Sequence, residues 1–311
     1  MSSTDPPPPM RVGFVGLGVM GFPMAGHLTA AGLEVTCFDT DAAMLDRMRA
    51  GWPTATVVDN VAAVAEASEV VITMLPDGER VRQVATAAGG LVESMAPGSL
   101  LLDCSSAQPW LTLETARRLA EHGIAMVDAP VSGAQWGAEA AELVFMAGGS
   151  STDVERVRPL LDLLGRATFH VGPIGSGHVM KSINNAITAM TFLATAEGLV
   201  LGTRAGLDPA AMNAVLNEST GGSWITRNHI EPRILSRTFD DPFRLELMLK
   251  DVAIATQLAR DLELPLPFVA LCESLYRAAD REAGPGRSLS ELVRWVERLT
   301  GVEITAGGAE G

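Results

Sequence analysis

An apolar run over residues 10–15, carrying Val12, Phe14 and Val15, leads directly into Gly16-Leu17-Gly18-Val19-Met20-Gly21, and a helical pattern over 22–31 follows. Strand, Gly-x-Gly-x-x-Gly and helix in that order strongly constrain the fold, because each glycine answers a separate steric demand. Gly16 permits the tight turn, Gly18 lets the backbone approach a pyrophosphate, and Gly21 lets the helix pack on the strand. Val19 and Met20 lie where the helix opens, and its amides and partial positive charge suit phosphate.

A second strand, 34–38, ends at Asp39, about 20 residues past the glycines. A carboxylate there suits a ribose diol and repels a 2′-phosphate. Thr40 and Asp41 follow, with no Arg, so NAD is favoured over NADP. The alternative for Asp39 is a plain turn or helix-capping residue.

The alternation then repeats. Helices are expected over 59–67, 79–87, 109–122 and 153–164, and strands over 70–75, 100–103, 125–127, 143–147 and 167–170. Such βα units imply a mostly parallel, doubly wound sheet with ligand contacts at the strand C-termini. Leu75, Pro76, Ser105 and Ser132 fall at such ends.

After Gly177 the pattern changes. Helices are expected over 179–205, 209–217, 245–262, 268–283 and 289–299, with Gly or Pro between them and no clear strand. The fold class is therefore an α/β Rossmann-type N-terminal domain, then an all-α C-terminal domain, joined by a long interdomain helix. The expected organisation is a disordered tail (1–10), a dinucleotide-binding domain (11–173), a helical substrate and dimerisation domain (174–300) and a flexible tail (301–311).

A formal net charge of −14 over 311 residues argues against nucleic acid or an anionic membrane as partner. Three dispersed cysteines form no CxxC, and five histidines form no HxxxH or HExxH, so no metal is expected. Residues 1–9 lack the charged and apolar regions of a secretory signal. The apolar stretch 186–202 includes Glu197 and reads as a buried helix rather than a membrane span. A reducing, cytoplasmic setting is expected.

Hydride transfer needs a group that takes or gives the hydroxyl proton. Lys181 and Lys250 are the only lysines; all other side-chain cations are Arg or His. Arg does not release its proton, and Lys does once burial or a neighbouring charge lowers its pKa. Lys181 is the candidate, against the alternative of a solvated Lys at a helix start. Asn185 lies one turn on and on the same face, where it can hold the ammonium or a substrate hydroxyl or simply be a polar residue in a crowded helix. His178 reads more readily as a satisfied structural histidine. Ser132-Gly133-Ala134 is either an anion nest suited to a carboxylate or an ordinary loop. The turn 219–224, ending in Trp224, either lines a pocket or caps a neighbouring helix, capping being the commoner outcome. Lys250-Asp251 reads as a surface ion pair, and Phe243 and Met248 read as core.

Four blocks resemble the β-hydroxyacid dehydrogenases over about residues 11–299. Gly16-Leu17-Gly18-Val19-Met20-Gly21-Phe22-Pro23-Met24-Ala25 resembles that family's cofactor signature. Asp128-Ala129-Pro130-Val131-Ser132-Gly133 resembles its substrate block. Gly175-Ser176-Gly177-His178 through Lys181 to Asn185 resembles its catalytic block, and Phe243 through Lys250-Asp251 its C-terminal cofactor block. The resemblance implies Lys181 as acid/base, Asn185 positioning substrate, and Ser132 and Gly133 binding a carboxylate. It implies Asp39, Leu75 and Pro76 on the adenosine side of NAD, and Lys250 reaching toward the nicotinamide. It also implies a small 3-hydroxy acid substrate and a homodimer or homotetramer, and it replaces the surface reading of Lys250. Three positions depart from the family pattern. Ala134 stands where a second Gly is usual, Trp136 follows beside it, and Ser106 stands where Thr is usual.

Overall fold

The computed structural model describes residues 10–305. The described residues fold into two compact units that divide between Lys181 and Ser182. The division falls inside a helix rather than at the glycine turn before it. Of the tails expected at 1–10 and 301–311, residues 1–9 and 306–311 lie outside the described residues, while Ile304 is buried and donates from its amide to Glu297 Oε1 at 2.8 Å.

The first unit alternates β1 (Arg11–Val15), α1 (Gly21–Ala30), β2 (Glu34–Phe38), α2 (Ala42–Gly51), β3 (Thr56–Val57), α3 (Val61–Glu66) and β4 (Val70–Thr73). It continues with α4 (Gly78–Thr86), α5 (Leu91–Ser94), β5 (Leu100–Asp103), α6 (Pro109–Ala120), β6 (Ala125–Asp128) and β7 (Val131–Ser132). Then come α7 (Ala134–Glu139), β8 (Leu143–Gly148), α8 (Ser151–Leu164) and β9 (Gly165–Gly172). The sheet order is β3-β2-β1-β4-β5-β6-β8-β7, with β9 paired to β8. Strands β1 to β6 pair with one another in parallel; β8 runs antiparallel to β6 and β7 and parallel to β9. Chain order reverses between β1 and β4, and in sheets of this kind ligands bind beyond the strand ends at that point.

The strands read as continuous apolar runs because both faces are covered. Alternation sends Phe14, Ile72, Leu102 and Val127 into one core, and Val15, Val71, Leu101 and Met126 into the other. Side chains start several helices: Asp41, Asn60, Asp77 and Ser150 each accept a hydrogen bond from a first-turn amide.

Helix α9 (Ser176–Arg204) begins in the first unit and continues into the second. It is long and apolar enough to cross a membrane, but half of its most apolar stretch is buried in the fold. Ala189, Phe192, Leu193, Ala196 and Leu199 belong to the second unit's core. That unit adds α10 (Pro209–Glu218), a π-helical stretch (Thr226–Leu235), α11 (Leu245–Asp261), α12 (Pro267–Ala283) and α13 (Glu291–Thr300). Among its described residues the only extended pairing is an isolated bridge between Arg244 and Ser288. The fold is thus a Rossmann-like sheet followed by a helical unit, as the residue pattern predicts.

Candidate active site

The glycine turn has the stereochemistry that its residues predict. Gly16 adopts φ +100°, where a Cβ would also lie 2.4 Å from Met74 O. At Gly21 a Cβ would fall 1.9 Å from Gly16 O, so helix and turn touch backbone to backbone. At Gly18 nothing lies within 4 Å of where a Cβ would be. Gly18 and Val19 are exposed and Met20 half-buried, and no side chain caps α1. An open backbone cradle at an uncapped helix N-terminus fits a dinucleotide's pyrophosphate.

Asp39 sits half-buried at the end of β2. Its Oδ2 accepts from Leu17 N at 2.6 Å, and its Oδ1 accepts from Asp41 N at 2.8 Å. The carboxylate therefore ties the glycine turn to the second strand, and each oxygen keeps a lone pair free for a diol. Past β4, Leu75 N donates to Ser105 Oγ at 2.9 Å, and Ser105 N donates to Asp103 Oδ1 at 3.0 Å. Ser105 is buried. Its hydroxyl shapes the loop that carries Leu75 and Pro76.

Ser132 lies in β7 against Val144. Gly133 follows at φ +138° and Ala134 at φ +53°. The ordinary-loop alternative for this segment is corrected: Ala134 opens the short helix α7. The sequence hides this helix because no side chain caps it and it starts in the left-handed region that an L-residue seldom enters. His27 of α1 donates from Nε2 toward Ala138 O (3.1 Å) and Glu139 O (3.0 Å), closing α7's C-terminus. Trp136 is 52% exposed.

A buried polar cluster lies where α9 starts. Asp128, at the end of β6, is fully buried; its Oδ1 accepts from Gly175 N at 2.7 Å and its Oδ2 from His178 N at 2.8 Å. Burial pushes its carboxyl up to about 6, against the opposing pull of His178 and the two amides. His178 is buried as a satisfied structural histidine: Nε2 donates to Ser105 O at 3.0 Å, and Nδ1 shares a hydrogen bond with Thr112 Oγ1 at 2.8 Å. Its ring stands 3.5 Å from Asp128 Oδ2 and 3.7 Å from Asp103 Oδ2. Asp103 Oδ1 accepts from Thr73 Oγ1 at 2.9 Å. Lys181 follows, half-buried, three residues after His178.

In the second unit, Asn185 is buried and donates from Nδ2 to Asp251 Oδ2 at 2.5 Å. The other Asp251 oxygen lies 3.3 Å from Lys250 Nζ. Asp251 is 3% exposed, which corrects the surface reading of this pair. It joins two site candidates that stand far apart in sequence. Nothing in the local pattern reveals this, because adjacent Lys and Asp on a helix usually mark a solvated face. Trp224 is 51% exposed. Beside it the turn serves as a cap: Ser223 N donates to Thr226 Oγ1 at 2.8 Å, and Thr226 N to Ser223 Oγ at 3.2 Å. Phe243 packs against the core and Met248 lies in it, as expected.

Known proteins resemble this chain through both of its halves. Residues 11–172 match the NAD-binding domain of 6-phosphogluconate dehydrogenase, and residues 175–296 match the NAD-binding domain of NADP-dependent 3-hydroxyisobutyrate dehydrogenase. The 2-(hydroxymethyl)glutarate dehydrogenase of Eubacterium barkeri is 35% identical over 299 residues, 96% of this chain and 98% of that protein. The 3-hydroxyisobutyrate dehydrogenase of Pseudomonas aeruginosa is 37% identical over 276 residues, 85% of this chain and 90% of that one. A solved structure of Mycobacterium tuberculosis 3-hydroxyisobutyrate dehydrogenase with L-serine superposes with a TM-score of 0.85 at 29% identity, over 93% of this chain and 99% of that chain. Matched through both halves and aligned nearly end to end, the chain belongs to the β-hydroxyacid dehydrogenase family and is an oxidoreductase acting on CH–OH groups.

Proposed function

We propose that this protein is an NAD-dependent dehydrogenase of a small 3-hydroxy carboxylic acid, converting it to the semialdehyde or oxo acid. The observation that carries the reading is the dinucleotide cradle at Gly16–Gly21, rimmed by Asp39, in the same unit whose last residue is Lys181. Lys181 takes the hydroxyl proton in oxidation and returns it in reduction. Asn185 positions the substrate, itself oriented by Asp251. Ser132, Gly133 and Ala134 bind the substrate carboxylate, and Trp224 lines the substrate's surroundings. Bound nicotinamide supplies the hydride acceptor. Gly16, Gly18, Val19, Met20, Gly21, Asp39, Leu75, Pro76, Ser105 and Lys250 hold the dinucleotide, and Asp39 selects NAD over NADP through its charge.

Charge, cysteine state and exposed apolar residues elsewhere in the chain support the remainder. The excess negative charge turns away nucleic acid and anionic membranes. Cys37, Cys104 and Cys272 are free and buried, which fits a reducing compartment such as the cytoplasm. Exposed Leu201, Val215, Leu262 and Leu299 on the helical unit support an assembly of like chains, a homodimer or homotetramer.

Turnover of a panel of small 3-hydroxy acids with NAD⁺ and NADP⁺ tests the proposal, with Lys181→Ala alongside. The expected results are a higher kcat/KM with NAD⁺ and a loss of about 100-fold or more in kcat for Lys181→Ala with NADH still bound. Preference for NADP⁺ removes the Asp39 argument, and near-normal turnover in the variant removes the lysine's role.

A further inference from the structure

We propose that Asp128 is a positioning residue for Lys181: its buried carboxylate anchors the first turn of α9 and so fixes where the lysine one turn on is held. The inference rests on the reading of Lys181 as the group that moves the proton.

The first amides of a helix have no partner within it. Here two groups at the start of α9, Gly175 N and His178 N, are taken by the two oxygens of one carboxylate. A neutral Asn, Ser or Thr cap satisfies such an amide without burying a charge. A carboxylate does more, because it accepts on both oxygens at once and fixes rotation as well as position. Lys181 is three residues past His178 and four past Gly177, on the face that this anchor grips.

The backbone approach is equally tight. A Cβ at Gly177 would lie 2.2 Å from Met146 O and 2.6 Å from Asp128 O. A Cβ at Gly148 would lie 2.5 Å from Asp128 Oδ1 and 2.7 Å from Gly177 N. The helix end therefore presses on the ends of β6 and β8 with only the Asp128 carboxylate set between them. His178 braces it from the other side, reaching Thr112 on α6 and Ser105 past β5. Strand ends and a neighbouring helix thus converge on the turn just ahead of the lysine, and a small shift there is passed along a rigid helix to Nζ.

The test is Asp128→Asn, which keeps the shape and replaces one acceptor oxygen by an NH₂ that cannot accept from an amide. The variant is expected to bind NADH with a dissociation constant within about two-fold of wild type, while kcat per folded molecule falls about 10- to 100-fold, the scale of an ångström's misplacement. In a double-mutant cycle, adding Asp128→Asn to Lys181→Ala is expected to change the residual rate by less than about two-fold, because the carboxylate acts through the lysine. A purely structural role lowers the melting temperature but leaves kcat per folded molecule intact, or lowers the rate equally in both backgrounds; either result overturns the inference. Should Asp128→Asn not fold, Thr112→Val removes the partner of His178 Nδ1 and is expected to show the same pattern at about 3- to 10-fold. Full turnover in Lys181→Ala overturns the lysine reading itself. An inactive Lys181→Ala beside unchanged Asp128→Asn and Thr112→Val overturns only the positioning role.

Discussion

Each unit buries one histidine beside aspartate and hydroxyl side chains, and the two clusters use those neighbours differently. His178 faces two buried carboxylates, Asp103 and Asp128, with Thr112 on its other nitrogen. His229 has Asp241 Oδ2 3.2 Å from Nδ1, Ser290 Oγ 3.0 Å from Nε2 and the Phe192 ring edge-on at 4.8 Å. Burial pushes Asp128 up to about 6 in the first cluster; in the second, burial, reinforced by Arg233, pushes His229 down to about 4. The first cluster keeps a carboxylate for its two amide bonds. The second keeps a neutral ring that ties the π-helical stretch, the segment at Asp241 and the start of α13 together. Its Asp–His–Ser order resembles a hydrolase triad, yet Ser290 has no exposed surface and no substrate reaches it. What a buried histidine does is decided by what faces it, not by its identity.

That contrast can be broken most forcefully at His178. His178→Ala leaves a void beside Asp103 and Asp128 and strips Ser105 O and Thr112 Oγ1 of their partner, and is expected to cost about 3–5 kcal/mol in urea unfolding. A loss below about 1 kcal/mol would show that the two carboxylates do not depend on the ring.

Acid titration sharpens the contrast next. Asp128 titrates higher folded than its ordinary 3.8, so the folded state takes up that proton first, and this group adds stability as pH falls from 6 to 3.8, by about 3 kcal/mol. His229 titrates lower folded than its ordinary 6.5, so the unfolded state takes up that proton first, and this group removes about 3 kcal/mol as pH falls from 6.5 to 4. The two oppose each other over the shared window, where burial also raises the carboxyl of Asp241 beside His229. His229→Gln is expected to gain stability on acidification through this window and Asp128→Asn to lose it more steeply, read as unfolding free energies at pH 7, 6, 5 and 4. Wild-type slopes in both variants would dismiss the opposition.

The features visible in the sequence are those set by local stereochemistry. Gly16, Gly18 and Gly21 with Asp39 are legible because turn, close approach and strand end each demand a residue type. The central strands are legible because burial on both faces leaves unbroken apolar runs. Helix α2 and the short β3 and α5 escape notice, the last two because two and four residues hold no periodicity. The π-helical stretch, with Pro232 inside it, has no pattern of its own. The contacts of Asp128 with His178, and of Asn185 with Asp251, join residues 50 and 66 positions apart. Only the folded topology creates them, so no window along the chain contains them.

Because α9 is one uninterrupted helix, its interior is a poor place to join this protein to a relative. Inserting or deleting a single residue between Lys181 and Asn185 turns one against the other by about 100°. Productive crossovers in recombined enzymes are then expected before Gly175 or well beyond Asn185, and the stretch between them behaves as one inherited block.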